Sequence, residues 1–221
     1  LEIIPNAVNT KHFSQNYPEK QLVELKNKKG KKPEARYLIT TSRLVKKNAV
    51  DDVIEALNSL PPNIKFLILG TGPEEENLKV KIKNFKLESR VFFLGQTDHS
   101  TLPKYLKISD IFIRPSRSEG MGNSFVEAMA AGLPVIATQE GGIADFLFDA
   151  KRNPGIEPTG WAVDKDSPEQ IAEAIAAHAC REGIAGQRPA IGQVLEPPDV
   201  IGQPRHIGFA IPIHVRNSQR A

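Results

Sequence analysis

The chain has 221 residues, 40% of them apolar, and its 29 Lys and Arg against 26 Asp and Glu leave a net charge of +3. That length supports a large core, the lone Cys180 excludes a disulfide framework, and so small a surplus gives no reason to expect nucleic acid as a partner. No apolar run approaches the ~20 residues of a membrane span, and no signal-peptide pattern follows Leu1, so we expect a numbering that begins inside a longer protein.

In chain order, the first distinctive feature is the basic, glycine-broken run KNKKGKK from Lys26 to Lys32. It reads first as a solvated loop, and second as a contact for anionic lipid. Short apolar runs of strand character follow at Tyr37 to Thr41, Phe66 to Leu69, Val91 to Leu94, Ile111 to Ile113, Pro134 to Thr138 and Trp161 to Val163. Helical spacing lies between them. Val50, Val53, Ile54 and Leu57 recur at i, i+3, i+4, i+7 after the first run, and Leu78, Ile82 and Phe85 do so after the second. Lys79, Lys81, Lys83 and Lys86 fall mostly on the outer face of that second helix as ordinary solvation. Apolar strands alternating with amphipathic helices predict an α/β fold, a doubly wound parallel sheet covered on both faces. Ser167-Pro168-Glu169-Gln170 has the form of a capping box opening a last helix, whose stripe is Ile171, Ala174 and Ile175.

Composition then changes abruptly. No Lys follows Lys165, whereas five Arg, five Pro and five Gly fall in residues 179–221 without helical or alternating periodicity. We expect one domain over residues 1–178 and an irregular, disordered tail over 179–221 that adds nothing to the fold, arising from a changed reading frame or as a native extension.

Ligands of such sheets bind beyond the carboxyl ends of the strands, so chemistry is sought in those loops. After the first strand, Arg43, Lys46 and Lys47 precede the helix that starts near Val50, which is either a phosphate site or a solvated basic turn. Gly70-Thr71-Gly72-Pro73 lacks the third glycine of a dinucleotide fingerprint and reads as a tight turn with close backbone approach. The richest stretch runs from Arg114 to Pro134. In it Gly120 and Gly122 free the backbone to pass near a ligand, and Glu119 and Glu127 bracket the turn with seven residues between them. A carboxylate there suits a vicinal diol. On spacing alone, Ser124 and Glu127 equally form a capping box, and the cap is the simpler reading.

The segment EGMGNSFVEAMAAGLPVIAT, with DIFIRPSRS before it and Glu140-Gly141-Gly142 after it, resembles the donor-binding half of the retaining GT-B glycosyltransferases that include glycosyl transferases group 1. IPNAVNTKHF, SRLVKKNAVDDVIEAL, LILGTGPEEENL, VFFLGQ and TGWAV match further segments in order, so the resemblance spans residues 1 to about 178. It implies that Glu127 holds the ribose of a nucleotide diphosphate sugar, against the capping reading. It further implies that Glu119 with Gly120, Met121, Gly122, Asn123 and Ser124 cradles sugar and diphosphate, and that Thr97 lies beside the base. Arg43 matches the family's phosphate arginine. Its lysine falls on Asn48 and its next glycine on Ala49, which leaves Lys47 as the nearest substitute.

The expectation is therefore a cytoplasmic hexosyltransferase domain acting at or near the inner membrane face. It would be incomplete without an N-terminal acceptor domain and would pass a hexose to a glycan or lipid acceptor with retention. With Arg43 and Lys47 catalytic, no cofactor or metal is expected. The rival readings are a nucleotide-sugar-binding module without transfer and a GT-B sugar-nucleotide epimerase. His12, His99 and His178 match no motif and read as surface or packing residues.

Overall fold

Successive side chains of a strand point to opposite faces, so a strand buried on both faces must be apolar at nearly every position. The computed structural model, which describes residues 8–28 and 34–181, shows the four central strands of its sheet buried at nearly every position and the two edge strands partly buried. Six parallel strands lie in the order β3-β2-β1-β4-β5-β6. They are β1 (Arg36–Thr41), β2 (Ile64–Leu69), β3 (Val91–Gly95), β4 (Ile111–Arg114), β5 (Val135–Ala137) and β6 (Trp161–Ala162). All six expected runs are strands, with ends displaced by one or two residues.

The helices form two layers. α3 (Val50–Asn58), α4 (Glu75–Asn84) and α7 (Pro168–Arg181) share one face. There Leu38, Phe66, Ile68, Ile111, Ile113 and Ile136 of the sheet meet Val53, Ile54, Leu57, Leu78 and Ile171. On the other face, α1 (Thr10–Ser14), α2 (Glu19–Lys28), α5 (Leu102–Ile108) and α6 (Asn123–Ala130) pack among themselves and over the sheet. The facing set includes Tyr37, Ile39, Leu67, Phe112 and Val135 from the strands with Phe13, Leu106 and Phe125 from the helices. Leu38 and Ile39 thus serve different cores, which is the pleat expressed as packing.

Three helices, α1, α2 and α5, were not anticipated. Two are short, and the basic run read as a loop is helical as far as Lys28, with residues 29–32 outside the described residues. α7 opens at Pro168 as expected, but Gln170 reaches past Ser167: its Oε1 accepts from the Asp164 backbone N–H at 2.9 Å. That helix continues through Arg181, beyond the compositional change, and the remainder of the tail, residues 182–221, lies outside the described residues. No helix among the described residues is long and apolar enough to cross a membrane.

The turn after β2 needs its glycines for internal fit. A Cβ on Gly70 would lie 1.9 Å from the Ser42 carbonyl oxygen, so the β1 and β2 loops touch backbone to backbone. Ser42 N–H to the Leu69 carbonyl and Leu44 N–H to the Thr71 carbonyl, both 3.0 Å, tie them.

α4 ends in a Schellman motif, with Leu87 N–H bonded to the Ile82 carbonyl at 2.9 Å and Lys86 N–H to Lys83 at 3.1 Å. The left-handed position is held by an exposed lysine, Lys86, at φ 56°. Glycine avoids the Cβ clash there, so Lys86→Gly should raise stability by about 0.5–1 kcal/mol, read as a higher urea midpoint at unchanged slope. A lower midpoint would show that the lysine side chain contributes more than its backbone strain costs.

Candidate functional site

The chain winds from β1 out to β3 and then returns to β4 beside β1, so the loops following β1 and β4 diverge and leave a crevice between them. A cleft of about 710 Å3 fills it. Arg43, Lys46, Lys47 and Asn48 form one wall, and Arg114, Glu119, Gly122, Asn123 and Ser124 the other. Arg43 also borders a neighbouring groove of about 470 Å3, lined by Ser42, Gly70, Thr71, Gln96 and Thr97. Of the residues singled out in the sequence, Arg43, Lys47, Glu119, Gly122, Asn123 and Ser124 meet in the cleft and Thr97 in the groove. Gly120, Met121 and Glu127 line neither.

Electrostatics differ at the two helix ends nearby. The first turn of α3 carries Asp51 and Asp52, which meet its positive end from within the chain. α6 has no acidic residue in its first turn, and its N-cap is Gly122 at φ 65°. The helix terminus facing the cleft is therefore that of α6, through Gly122, Asn123 and Ser124, rather than that of α3. Free amides and a positive dipole end there favour an anion.

The capping box at Ser124 and Glu127 does not form, because Gly122 ends the turn two residues before Ser124. Ser124 Oγ instead accepts from Arg114 Nη1 at 2.8 Å. The Glu127 side chain is 16% exposed, and its Oε1 lies 3.7 Å from His99 Nε2. His99 stacks on His12 with centroids 5.1 Å apart, and His12 Nε2 lies 2.8 Å from the His99 carbonyl, so His12 backs the histidine that adjoins Glu127. His178 is buried against Trp161 as a packing residue.

Arg43 and Lys47 are exposed. Asn48, at the position of the expected lysine, is buried and donates from Nδ2 to the Arg43 carbonyl at 2.7 Å. It shapes the loop that carries the arginine. Ala49, where a glycine was expected, adopts φ 52°.

Arg114 was not singled out, although an arginine ending the apolar strand IFIR is itself a signal. It is 6% exposed, ion-paired through Nη2 with Glu119, and stacked 4.3 Å from the Phe125 ring centroid. Burial pulls its pKa down, and the Glu119 carboxylate opposes that shift. The Gly120 N–H donates to the other Glu119 oxygen at 3.0 Å, so the carboxylate is oriented from two sides. Gly141 supports the same turn: a Cβ there would fall 1.9 Å from the Glu119 carbonyl oxygen, and Gly142 N–H bonds the Gly120 carbonyl at 2.7 Å.

Beneath the Lys46–Asn48 turn, Asp52 is held by Arg117 Nη2 at 2.7 Å with its side chain 8% exposed. Burial first, then repulsion from Asp51, raise its pKa from 3.8 to about 6, against the pull of Arg117. An acid whose folded pKa is raised binds more protons folded than unfolded between those values, so stability falls as pH rises through that window and levels above it. Relative to Asp52→Asn, the parent should lose on the order of 2 kcal/mol between pH 4 and pH 7. Paired urea titrations at the two pH values measure it. A constant difference would mean that Arg117 fully compensates the buried charge.

Residues 23–178 match the family model described as Glycosyl transferases group 1. An alpha-monoglucosyldiacylglycerol synthase of Acholeplasma laidlawii is 31% identical over 153 residues, 67% of this chain and 38% of that protein. Among solved structures, HepE of Anabaena in complex with UDP and glucose gives a TM-score of 0.70 at 24% identity, covering 82% of this chain and 47% of the other. The C-terminal domain of a group 1 glycosyl transferase protein, LpcC of Francisella tularensis, gives 0.66 at 24% identity over 80% of this chain and 90% of that one. The chain spans less than half the length of the first two, and its fold is the Rossmann-like half of a GT-B protein. On the family match and the Acholeplasma relative, the chain belongs to the glycosyl transferases group 1 family.

Proposed function

We propose that the chain is the donor-binding half of a retaining, metal-independent glycosyltransferase that passes a hexose from a nucleotide diphosphate sugar to a glycan or lipid acceptor, with the acceptor domain supplied by residues upstream. The observation that carries this reading is the cleft itself. Arg43 and Lys47 stand exposed across from the acid-free N-terminus of α6. These cations, with Lys46 beside them, and a set of amides around one space suit a diphosphate, whose negative charge grows as the bond from its oxygen to the sugar C1 breaks. Charge placed there lowers the barrier without a metal.

The neighbouring groove at Thr97 receives the base, Glu127 the ribose hydroxyls, and Glu119 with the Gly120 to Ser124 backbone the sugar. Retention is supported by the resemblance of the Glu119 to Glu127 segment. A lipid acceptor is supported by the glucosyldiacylglycerol named in the Acholeplasma relative. Alone, the chain would bind donor without transferring it.

Calorimetric titration tests the phosphate assignment. Affinity should rise from nucleoside to monophosphate to diphosphate on the parent, and Arg43→Ala should weaken diphosphate binding by about 1.5–3 kcal/mol, with less effect as salt rises. Lys47→Ala, if comparable, makes Lys47 the replacement for the lysine absent at Asn48. A ladder unchanged by both variants would reduce the loop to a solvated basic turn.

The carboxylates separate by ligand. Glu127→Gln should weaken nucleotide and nucleotide sugar alike, because both carry the ribose, whereas Glu119→Gln should weaken only the nucleotide sugar. Equal affinities of parent and both variants for the two ligands would remove Glu119 and Glu127 from the site.

A further inference from the structure

Arg117 stands two residues before Glu119 and lines no part of the cleft. All five N–H groups of its guanidinium are nevertheless engaged. Nε bonds Asp166 Oδ1 at 2.5 Å; Nη1 bonds the Lys46 carbonyl at 2.5 Å and Asp51 Oδ1 at 3.0 Å; Nη2 bonds Asp51 Oδ2 at 3.1 Å and Asp52 Oδ1 at 2.7 Å. Its backbone N–H donates to the Lys47 carbonyl at 2.7 Å. One residue of the loop after β4 therefore holds two successive carbonyls of the turn after β1, and those carbonyls belong to the two lysines that line the cleft.

The geometry points to Arg117 as the positioning residue for the phosphate cation: it locks the Lys46–Asn48 turn against the opposite wall, so that the Lys47 charge is held in the cleft in advance of the ligand. This deepens the donor-binding reading and rests on it. The sites of its two contacts explain the choice of residue. A planar fork with five donors can grip Asp51 with both ends while reaching Lys46 and Asp166, whereas a lysine has three donors on one flexible stem. Holding the backbone that carries the cation removes the cost of ordering that turn when the anion arrives. Asp51 and Asp52, which close off the α3 terminus from an anion, are the groups that hold Arg117. The same carboxylates thus direct the phosphate away from α3 and, through Arg117, set the turn that faces α6.

The test uses the full 221-residue chain and two probe series, uridine, UMP and UDP, and guanosine, GMP and GDP, titrated calorimetrically. In Arg117→Lys, the gain in affinity from nucleoside to diphosphate should fall about tenfold while nucleoside affinity stays within about twofold. The double variant with Lys47→Ala should be no weaker than Lys47→Ala alone, because the arginine acts through that lysine. Asp166→Ala releases Nε at an exposed position outside the cleft and should give a smaller loss of the same kind, which keeps the question answerable if Arg117→Lys does not fold. The inference is overturned by a parent ladder that both variants leave unchanged, by equal weakening of nucleoside and diphosphate, by losses that multiply in the double variant, or by a loss in Arg117→Lys with none in Lys47→Ala. Absence of any ladder on the parent in both series would overturn the donor-binding reading instead, and this inference with it.

Discussion

The pairing of β1 with β4, Leu38 opposite Ile111 and Ile39 opposite Phe112, is the constraint on which the rest depends. It joins two strands that are distant in sequence, and on either side of it the chain winds in opposite directions. Loops that leave neighbouring parallel strands toward opposite layers cannot cover each other, so a crevice must open at their shared end. Arg43, Lys47, Glu119, Asn123 and Ser124 gather there. The backbone contact of Gly70 with Ser42 closes one flank of the crevice, and that of Gly141 with Glu119 supports the other.

Charge is distributed across the crevice with a clear division. Acidic side chains meet the end of α3 and recruit Arg117; none stand in the first turn of α6, whose end faces the open space. Arg114 and Glu119 neutralise each other under the second wall, with Arg114 nearly buried and its guanidinium on Phe125. A buried ion pair of this kind adds little net stability, but it fixes the direction of a carboxylate. Among the described residues that line the cleft, the cations without such partners are the exposed ones, Arg43, Lys46 and Lys47. Paired charge holds the walls in place and unpaired charge is left for the ligand.

Much of this was legible along the chain. Strands came through because a strand buried on both faces is a continuous apolar run, and α3 and α4 because each shows a 3.6-residue stripe. α1 and α5 are five and seven residues long, too short for a period to register. The glycines of Gly70-Thr71-Gly72 announced a close approach but not its partner, which is the backbone of another loop. Ser124 and Glu127 matched a capping box by spacing, yet a cap depends on where the helix starts, and Gly122 starts it earlier.

By itself the sequence determined the parallel α/β rhythm and the candidacy of Arg43, Lys47, Glu119 and the turn through Ser124, because period and residue chemistry are local properties. It also determined the family, through the run from Glu119 to Glu127 among its neighbours. Only the tertiary structure decided which helix end faces the cleft, that Glu127 lies beside His99, that Asn48 braces the arginine loop, and that Arg117 and Arg114 are ion-paired supports. Asn48 meets Arg43 and Arg114 meets Glu119 five residues away, through the fold of one loop, whereas Arg117 meets Asp51 and His99 meets Glu127 across the chain. Such contacts leave no spacing to read, because the distance between their partners is set by the winding of the sheet and not by the chain between them.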